Sequence, residues 1–373
     1  MKIELLVDGH AFWKRLEPEL RAARRRVFVQ TLSFEGDAAG QGLAAALLAS
    51  PARDRRMVVD EFTRHVVNDK FVHHPAHLID RELQQEVHDT RRMIDQLGAA
   101  GVGVRFTNKA GWLFLQFPMR NHKKLIALDG EVAYVGGINF TEHNFEWHDL
   151  MLRIEDRDLT AFLEHDFECT WRGEHQEVTH RFEGLELHVL SGRGNERQFE
   201  SVLRLIESAR EEIFIESPYI GPPFSDALRS ASLRGVRVIV VTAERNNWKL
   251  CHDHIHWKAS DAPLDVRLYP DRMTHMKAML VDDRALVVGS ANFELWSYRF
   301  QQEYLCVFTD RELIDRFRKR VVEPDLAASR VSDRRIGRVQ GTLTDLRLEW
   351  LERLALGLNG RSFETTGRSG RAG

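Results

Sequence analysis

The chain has 373 residues, a formal net charge of −3 and an isoelectric point of about 6.6, and 43% of its residues are hydrophobic. This length suffices for two domains or one duplicated domain with a substantial core. Lys and Arg number 53 against 56 Asp and Glu, which argues against a globally basic nucleic-acid-binding protein. The N-terminus is unlike a signal peptide, no stretch reaches the ~20 apolar residues of a membrane span, and the three scattered cysteines indicate reduced thiols in the cytoplasm.

Residues 1–175 alternate between strand patterns and helix patterns. We expect strands at Met1–Val7, Val27–Phe34, Met57–Asp60, Val102–Phe106 and His148–Glu155, and helices at Phe12–Arg25, from Leu43, at Leu78–Ala100 and at Asp158–Trp171. A polar segment, Arg172–Glu183, then links two halves. The alternation predicts an α/β sandwich.

The same order of patterns restarts after this link, so residues 176–335 are predicted to form a second lobe, related to the first by a pseudo-two-fold axis. Its strands are expected at Leu185–Leu190, Ile213–Tyr219, Gly235–Val241, Val266–Tyr269 and Tyr304–Thr309, and its helices at Phe199–Ala209 and Asp226–Leu233. Residues 336–358 are predicted to form an amphipathic helix, which either packs against the body or contacts a membrane. Residues 359–373 are predicted to be a disordered tail.

One motif occurs twice, once in each half. Both copies read H-x-K-x4-D followed by G-[GS]-x-N, and in both the His and the Asn are 17 positions apart. The motif residues are, in order, His122, Lys124, Asp129 and Asn139 in the first copy, and His275, Lys277, Asp282 and Asn292 in the second. Two copies with identical internal spacing are not expected by chance.

The residue types of this motif suit chemistry on a phosphodiester. Residues two apart on a strand project to the same face, so the motif places an imidazole beside an ammonium group. Lys and Asn can stabilise charge on phosphoryl oxygens, and His can act as a nucleophile or as a general acid and base. Two facing sets would provide one His to attack phosphorus and another to protonate the leaving group. This scheme needs no metal ion and no cofactor.

The first half carries an insertion beside its motif. Arg105 precedes His122 by 17 positions, whereas its counterpart Arg267 precedes His275 by 8. A core strand is one interpretation of the extra apolar residues. An exposed loop that contacts acyl chains or a bilayer is the other, and it predicts substrate-binding roles for Trp112, Phe114 and Phe117.

Two segments are rich in histidine, Thr63–His77 and Cys251–His256. Their spacings do not match a structural zinc site. We therefore predict no metal site and interpret both segments as polar loops near the cleft that contact a headgroup.

The repeated motif resembles the HKD motif of the phospholipase D superfamily, whose members carry it twice per active site. Outside the motifs the chain is most similar to the bacterial cardiolipin synthase branch. The Arg120–Lys124 segment resembles its R-N-H-[RK]-K run, Trp147–Glu155 resembles its W-x-D-x-x-x-R-x-E segment, and further similar positions follow the second motif at Ser297, Arg299 and Glu303. The resemblance implies a duplicated phospholipase D-like α/β/α sandwich with the motifs meeting between the lobes.

The resemblance also implies roles for the site residues. Family members form a covalent phosphohistidine on one motif histidine, and an acidic residue after each motif orients an imidazole. By position these acids are Asp149 and Glu303, 27 and 28 residues beyond His122 and His275. We assign the nucleophile to His122 and the general acid/base to His275, although sequence leaves the reverse order open. The acids within the motifs are then expected to be structural, Asp129 and Asp282.

These observations together predict a phosphatidyltransferase or phospholipase D that acts on glycerophospholipids. It is expected to be cytoplasmic and peripherally associated with the inner face of the membrane. Transfer to an alcohol would yield cardiolipin or a related lipid, and transfer to water would be hydrolysis. The alternative is a nuclease of the same superfamily, and a lipid-binding scaffold without turnover is a third reading. A monomer could suffice, because both motifs are in one chain.

Overall fold

A computed structural model describes residues 1–111, 114 and 116–367, with side chains described as far as Gly357. None of the helices in these ranges combines the length and the apolarity needed to cross a bilayer. The chain folds into two lobes, and each lobe is built around one mixed β-sheet.

The sheet of the first lobe has seven strands in the order β1-β9-β8-β7-β2-β3-β6, and β4 and β5 form a separate small hairpin. Strands β2, β3 and β6 run parallel to one another, whereas the other neighbours are antiparallel. The strands are β1 (Lys2–Val7), β2 (Arg26–Thr31), β3 (Asp54–Asp60), β4 (Val66–Val67), β5 (Lys70–Phe71), β6 (Gly103–Thr107), β7 (Leu125–Leu128), β8 (Val132–Gly136) and β9 (Leu150–Glu155).

Aspartates begin the main helices of this lobe. The side chains of Asp37, Asp80 and Asp156 each accept a hydrogen bond from a backbone N–H in the first turn of the helix that follows. The helices are α1 (Gly9–Ala22), α2 (Ala38–Ala49), α3 (Pro75–Leu78), α4 (Arg81–Ala99), α5 (Glu142–Glu146) and α6 (Arg157–Arg172), with a 3-10 turn at Glu61–Arg64.

The sheet of the second lobe repeats this order and adds one strand at each edge. Its nine strands run β10-β11-β17-β16-β15-β12-β13-β14-β18, so the inner seven correspond one by one to those of the first lobe. The strands are β10 (Val178–Phe182), β11 (Leu185–Ser191), β12 (Glu212–Glu216), β13 (Arg237–Ala243), β14 (Leu264–Tyr269), β15 (Ala278–Val281), β16 (Ala285–Gly289), β17 (Gln302–Phe308) and β18 (Arg330–Val331). The predicted duplicated α/β fold is confirmed.

Helices cover the second sheet as they do the first. They are α7 (Glu196–Glu207), α8 (Phe224–Leu233), α9 (Lys249–Lys258), α10 (Leu295–Arg299), α11 (Arg311–Phe317), α12 (Glu323–Ala328) and α13 (Arg338–Gly367), with a π-helical turn at Arg318–Val322 between α11 and α12.

Three apolar clusters hold this architecture together. One packs α1, α2 and α4 on the outer face of the first sheet, and another packs α7 and α8 on the outer face of the second. The third combines residues of both sheets with residues of α6 and α11, among them Ala127, Phe167, Ala278 and Phe317. The two lobes therefore share one hydrophobic core, and the motif strands β7 and β15 lie within it.

Three elements differ from the predictions. The predicted link Arg172–Glu183 contains β10, an edge strand whose polar residues face solvent while it pairs with β11. The segment Cys251–His256 is not a loop, because it lies inside α9 with its side chains buried. Helix α13 is longer than predicted and extends through residues 359–367 of the predicted tail, which contain no proline to interrupt it; residues 368–373 lie outside the described part of the chain.

Candidate active site

Each motif begins just before a central strand. His122 and Lys124 precede β7, and His275 and Lys277 precede β15, and all four side chains are buried. The Lys124 Nζ donates a hydrogen bond to the carbonyl oxygen of His122 over 2.8 Å. In the second motif the Lys277 Nζ lies 2.8 Å from the His275 Nδ1. The predicted juxtaposition of imidazole and ammonium is present in both copies.

Backbone hydrogen bonds join the motif of each lobe to the other lobe. The His122 N–H donates to the carbonyl oxygen of Gln302 over 2.9 Å, and the His275 N–H donates to that of His148 over 2.7 Å. Gln302 and His148 occupy equivalent positions, each directly before the predicted acidic residue of its own lobe. The pseudo-symmetric bonds bring both motifs to the interface between the lobes.

The acidic residues act across this interface. Nδ1 of His122 donates to Glu303 Oε1 over 2.9 Å, and Nδ1 of His275 donates to Asp149 Oδ2 over 2.7 Å. Each imidazole thus bonds to the carboxylate of the opposite lobe, which the linear spacing did not reveal. In a neutral imidazole that carries its proton on Nδ1, Nε2 bears the free lone pair. The carboxylates therefore leave Nε2 of each ring as the basic and nucleophilic atom.

The G-[GS] step of the motif differs between the lobes for a steric reason. A Cβ atom added at Gly137 would lie 2.3 Å from Asp149 Oδ1, so that only glycine allows this carboxylate its position. The equivalent residue, Ser290, instead donates its hydroxyl to Glu303. Ser297 Oγ donates to the same carboxylate over 2.8 Å. Glu303 is therefore held by two hydroxyls, and Asp149 by a close backbone approach.

Burial is the largest influence on the pKa of each basic group here, and it disfavours their charged forms. It lowers the pKa of Lys124 to about 7 and that of Lys277 to about 8. Burial, assisted by the charge of Lys277, lowers the pKa of His275 to about 3, and burial lowers the pKa of His122 as well. Both imidazoles are consequently neutral near pH 7.

The two carboxylates, in contrast, keep their charged forms. Burial raises the pKa of Asp149 and of Glu303, but the neighbouring imidazoles and lysines outweigh it, so that the pKa of each carboxyl falls below its ordinary value. The site near pH 7 thus combines two ionised carboxylates with two neutral imidazoles. In this protonation state Nε2 of either ring can act as a nucleophile or accept a proton, whereas a ring that donates a proton must first take one up.

Both histidines open into one cavity of about 300 Å³ between the lobes. The motif asparagines Asn139 and Asn292 also line it, whereas the two lysines lie behind the histidines. Of the predicted motif residues, the structure therefore brings His, Lys and Asn of both copies together with the two carboxylates. The arrangement provides two nitrogen bases, two amides and two buried ammonium groups around a space that fits a phosphodiester.

The motif aspartates lie away from this cavity. Asp129 accepts hydrogen bonds from the backbone N–H groups of Arg24, Arg25 and Arg26 over 2.7–2.9 Å, where the chain enters β2. Asp282 binds the backbone of residues 210–212 in the same way, before β12. Both aspartates join the motif strand to its neighbour, and neither contacts the site.

The insertion of the first lobe forms an aromatic cluster beside the cavity. Phe117 packs on Phe62, with ring centroids 5.8 Å apart, and Phe62 lines the cavity. Phe114 is 40% exposed and contacts the rings of Phe117, His65, Phe71 and His73. The insertion is therefore not a core strand, and it joins the first His-rich segment. Trp112 lies outside the described residues.

The cavity wall near His275 is aromatic, and sequence reasoning missed most of it. The Trp147 ring lies 4.9 Å from the His275 ring, and Tyr219 lies 6.4 Å from it. Tyr219 contacts Trp248, which stacks on Trp296. The available signal was position, because Tyr219 follows the end of β12, where the loops of an α/β sheet build ligand sites.

The second His-rich segment has a structural role that its pattern did not indicate. On α9, His254 Nε2 bonds to Ser225 Oγ over 2.9 Å and His256 Nε2 bonds to Ser332 Oγ over 2.9 Å. These contacts tie α9 to neighbouring elements, and none of its three histidines, His252, His254 and His256, lines the cavity. The prediction of a headgroup-binding loop is therefore wrong for this segment.

Among the residues that the structure describes, two groups of side chains could hold a metal ion. His148, Glu216 and Asp325 are buried with ligand atoms within 4.8 Å of one another, and a second group comprises Glu35, Asp37 and Glu86. In the first group His148 already bonds to Asp325 over 3.0 Å through Nε2 and to Asp8 over 2.7 Å through Nδ1. His148 is therefore satisfied as an imidazolium between carboxylates.

Comparison with known proteins agrees with the geometry. The family described as “Cardiolipin synthase, PLD-like domain” matches residues 16–171 and 202–323, which include both motifs. The major cardiolipin synthase ClsA of Bacillus subtilis (strain 168) is 24% identical over 365 residues, covering 88% of this chain and 69% of that protein. A cardiolipin synthase of Staphylococcus aureus (strain N315) is 26% identical over 315 residues, covering 72% of this chain and 60% of that protein. The chain thus spans 60–69% of the length of these relatives.

Solved structures share the fold. Phosphatidylserine synthase from Haemophilus influenzae Rd KW20 superposes with a TM-score of 0.67 at 15% identity, covering 88% of this chain and 87% of that one. Polyphosphate kinase from Porphyromonas gingivalis gives a TM-score of 0.59 at 14% identity, covering 94% and 56%. At these identities the likeness concerns the fold alone.

Proposed function

This chain belongs to the cardiolipin synthase family of phospholipase D-like domains, and from that premise we propose that it is a phosphatidyltransferase of glycerophospholipids. It cleaves a phosphodiester through a phosphohistidine and passes the phosphatidyl group to an alcohol, giving cardiolipin or a related lipid, or to water. It works at the inner face of the membrane as a peripheral, cytoplasmic protein. One chain holds both motifs, so a monomer suffices.

One observation carries this proposal. Two imidazoles face the same cavity, and each has its Nδ1 bonded to a carboxylate, at 2.9 Å for His122 and 2.7 Å for His275. A double-displacement reaction needs this pair, because one base must attack phosphorus while another serves the departing oxygen.

The reaction proceeds in two balanced steps. In the first, Nε2 of His122 attacks phosphorus and forms a P–N bond. The P–O bond to the headgroup breaks, and the leaving oxygen takes a proton from His275. In the second, the acceptor hydroxyl gives its proton to His275 as its oxygen attacks phosphorus, and the P–N bond breaks. Lys124, Lys277, Asn139 and Asn292 stabilise charge on the phosphoryl oxygens.

His275 takes up its proton from solvent when the substrate binds. The imidazole is neutral in the free protein, because burial and Lys277 lower its pKa to about 3. A phosphodiester anion in the cavity opposes both effects, since a nearby negative charge favours the imidazolium. Substrate binding therefore charges the general acid, and Asp149 on Nδ1 stabilises that charge.

Hydrolysis of DNA or RNA is the alternative function. Glu35, Asp69 and Glu294 line the cavity, and His143 and Arg120 are the basic side chains besides the motif histidines. A polyanionic strand binds through rows of Lys and Arg that neutralise its phosphates. The described lining of the cavity contains one Arg and no Lys, so it favours a lipid with a single reacting phosphate over a polyanionic strand.

The insertion is the proposed contact for acyl chains. The Phe62–Phe117 pair continues from the cavity to the partly exposed Phe114, which gives an apolar path outward from the reacting atoms. A nucleic acid would gain little from such a path, whereas a lipid tail can bury its methylene groups there. Trp112 belongs to the same proposal.

Product analysis by mass spectrometry tests the function. The purified protein is incubated with vesicles of phosphatidylglycerol and phosphatidylethanolamine, and separately with single- and double-stranded oligonucleotides, in buffer with EDTA. We expect new cardiolipin or phosphatidic acid from the lipids. We expect His122→Ala and His275→Ala to reduce the rate by at least ~100-fold, because each removes one of the two bases.

Three outcomes of the same experiment would contradict the proposal. Cleaved oligonucleotide together with unchanged lipid would show nuclease activity and would contradict the proposed lipid reaction. Substantial turnover by either alanine variant would contradict the two-histidine mechanism. A requirement for a divalent metal, shown by loss in EDTA and recovery on metal addition, would contradict metal independence.

A further inference from the structure

Helix α13 presents an unusually apolar face to solvent. Its side chains are spaced four, three, four and four residues apart, so that they form one continuous stripe along the helix. The stripe consists of Val339, Leu343, Leu346, Trp350 and Leu354, which are 77%, 48%, 54%, 61% and 41% exposed. Exposure of a face of this composition to water costs free energy unless another surface covers it.

The opposite face of α13 is fixed against the body, so the stripe cannot turn inward. Gly341 lies directly on the Trp257 ring, where an added Cβ would be 2.1 Å from the ring. The Trp257 Nε1 donates to Asp345 over 3.0 Å, and Leu348 is buried. The helix therefore packs against the body, as one interpretation of the sequence predicts, but through this face, and the stripe stays exposed.

The charges along α13 are sorted by face. At roughly 100° per residue, Arg347 and Arg353 lie on either side of the stripe. Asp345 and Glu352 point to the body, where Glu352 bonds to Arg299 over 3.1 Å. Glu349 pairs with Arg353 over 3.5 Å. In sequence, residues 358–373 add three arginines and one glutamate. The exposed side is thus apolar in its centre and basic at its margins.

The stripe does not suit a second helix. A coiled coil requires apolar residues to continue at alternating three- and four-residue steps. After Val339, Leu343, Leu346 and Trp350 the next two such positions are Arg353 and Gly357. The pattern therefore ends after two heptads, which is too short for a stable coiled coil. An apolar face with a tryptophan and flanking arginines is instead typical of a helix that lies in the surface of an anionic bilayer.

The helix is connected to the cavity wall. It packs on α9, which follows Trp248, and through Glu352 it bonds to Arg299 of α10, which carries Trp296. Trp248 and Trp296 both line the cavity. A bilayer bound at α13 would thus lie against the elements that form the aromatic side of the site.

We propose that α13 is an interfacial helix that docks the protein on anionic lipid surfaces through the Val339–Leu354 stripe. The inference rests on the proposed function for the identity of the substrate, but vesicle binding is measured without turnover. It assigns a defined surface to the peripheral association, in addition to the insertion near the cavity.

Vesicle co-sedimentation tests the proposal. The full chain is mixed with vesicles of phosphatidylcholine alone or with added phosphatidylglycerol. We expect binding to the mixed vesicles that weakens with salt, and a loss of at least ~10-fold in the double variant Leu346→Ser/Trp350→Ser. Leu233→Ser is the matched control, because Leu233 is 55% exposed on α8, outside the stripe, and this change should leave binding unaltered.

Each outcome decides the proposal. Wild-type binding by the double variant, equal loss in Leu233→Ser, or no binding by the wild type would overturn it. Loss of a dimer in light scattering, without loss of vesicle binding, would assign the stripe to a second copy. Turnover of detergent-dispersed phosphatidylglycerol separates the two proposals. Its absence in every protein refutes the proposed function, whereas its persistence in a variant that no longer binds vesicles supports both.

Discussion

At the scale of single residues, Asp149 and Glu303 determine which nitrogen of each histidine carries the proton. They do so without contacting the reacting phosphorus, since each bonds to Nδ1 of a histidine of the other lobe. In the proposed mechanism they are therefore positioning residues. Their effect on catalysis is through the tautomer and orientation of the imidazole, as in other sites where a carboxylate holds a catalytic histidine.

We expect Glu303→Gln and Asp149→Asn to lower kcat by roughly 10²–10⁴-fold. The carboxamide keeps the shape but removes the charge that stabilises an imidazolium and fixes Nδ1–H. Initial rates of lipid turnover over a range of pH give both kcat and the apparent pKa values of the histidines. These pKa values should fall in the variants, because each loses a nearby negative charge.

Glu200→Gln is the matched control for this comparison, because its partner Arg204 is exposed and remote from the site. It should leave both kcat and the pH profile unchanged. A merely structural role for Asp149 and Glu303 would lower thermal stability and leave the pH profile of the remaining activity where it is in the wild type. That result would contradict the positioning role.

The sequence predicts the residue types of this site better than it predicts which of them bond to one another. The motif pattern was sufficient to select His122 and His275, and the resemblance to the family selected Asp149 and Glu303. Neither contained information on which carboxylate meets which histidine, because that depends on how the lobes pack. Trp147 belongs to the Trp147–Glu155 segment that resembles the family, yet its contact with His275 arises only from folding.

At the scale of elements, the junction between α9 and α13 depends on one glycine. The backbone at Gly341 lies close to the Trp257 ring, and an added Cβ there would lie 2.1 Å from the ring. This close approach also brings Asp345 within 3.0 Å of the indole nitrogen. The docking of α13 therefore tolerates no side chain at position 341.

We expect Gly341→Ala to loosen α13 and to lower the free energy of unfolding by ~1–3 kcal/mol, because the methyl group forces the helix away from Trp257. Hydrogen exchange followed by mass spectrometry should show faster exchange across α13. Gly337→Ala serves as the control, since nothing lies within 4 Å of its added Cβ. Equal exchange in both variants would disprove the close-packed junction.

The errors in element prediction have a common origin. Cys251–His256 consists mostly of polar residue types, and polarity alone predicts exposure. His254 and His256 of α9 are nevertheless buried, because Ser225 and Ser332 bond to their Nε2 atoms. Such partners come from distant parts of the chain and leave no local pattern. Strongly periodic helices such as α4 and α6 were predicted to within a few residues.

At the scale of the whole molecule, His148 is a charged link between the lobes. Its Nδ1 bonds to Asp8 of the first lobe and its Nε2 to Asp325 of the second. Burial opposes the charge, but these two carboxylates outweigh it and raise the pKa of His148 to about 11. The equivalent residue of the other lobe is the uncharged Gln302.

We expect His148→Gln to destabilise the protein in a pH-dependent manner. A raised pKa means that the folded state holds a proton that the unfolded chain releases above its ordinary pKa of ~6.5. The stability contributed by His148 is therefore complete below about pH 6.5 and disappears as the pH rises towards 11. Denaturant unfolding at several pH values should show a difference from wild type of ~1–3 kcal/mol at pH 6 that narrows steadily by pH 10.

His188→Gln is the control variant, because the pKa of that buried histidine is lowered by burial rather than raised. Its difference from wild type should not decline over the same alkaline range. A pH-independent effect of His148→Gln would mean that the residue is neutral in the folded protein.

The duplication made the global fold predictable, because two similar strings of elements with one motif each imply two similar lobes. The edge strands β10 and β18 were not predictable, since each is a short addition to one edge of the second sheet. The shared core was not predictable because it depends on how the lobes pack. Lys123 illustrates a contact between the lobes that sequence could not predict. It pairs with Asp166 over 2.7 Å, and Tyr304 of the other lobe bonds to the same carboxylate.

The exchange of carboxylates between lobes has a mechanical consequence. A separation of the lobes by about one ångström would stretch the His122–Glu303 and His275–Asp149 bonds together, beyond the range of good hydrogen bonds. The attacking base and the proton donor would then fail at the same moment. In the proposed mechanism His275 serves both steps, so an enzyme that lost this base alone after the first step would hold a phosphohistidine adduct that it could not release. Because both hydrogen bonds cross the same interface, a distorted molecule loses them together and becomes inactive before it can form such an adduct.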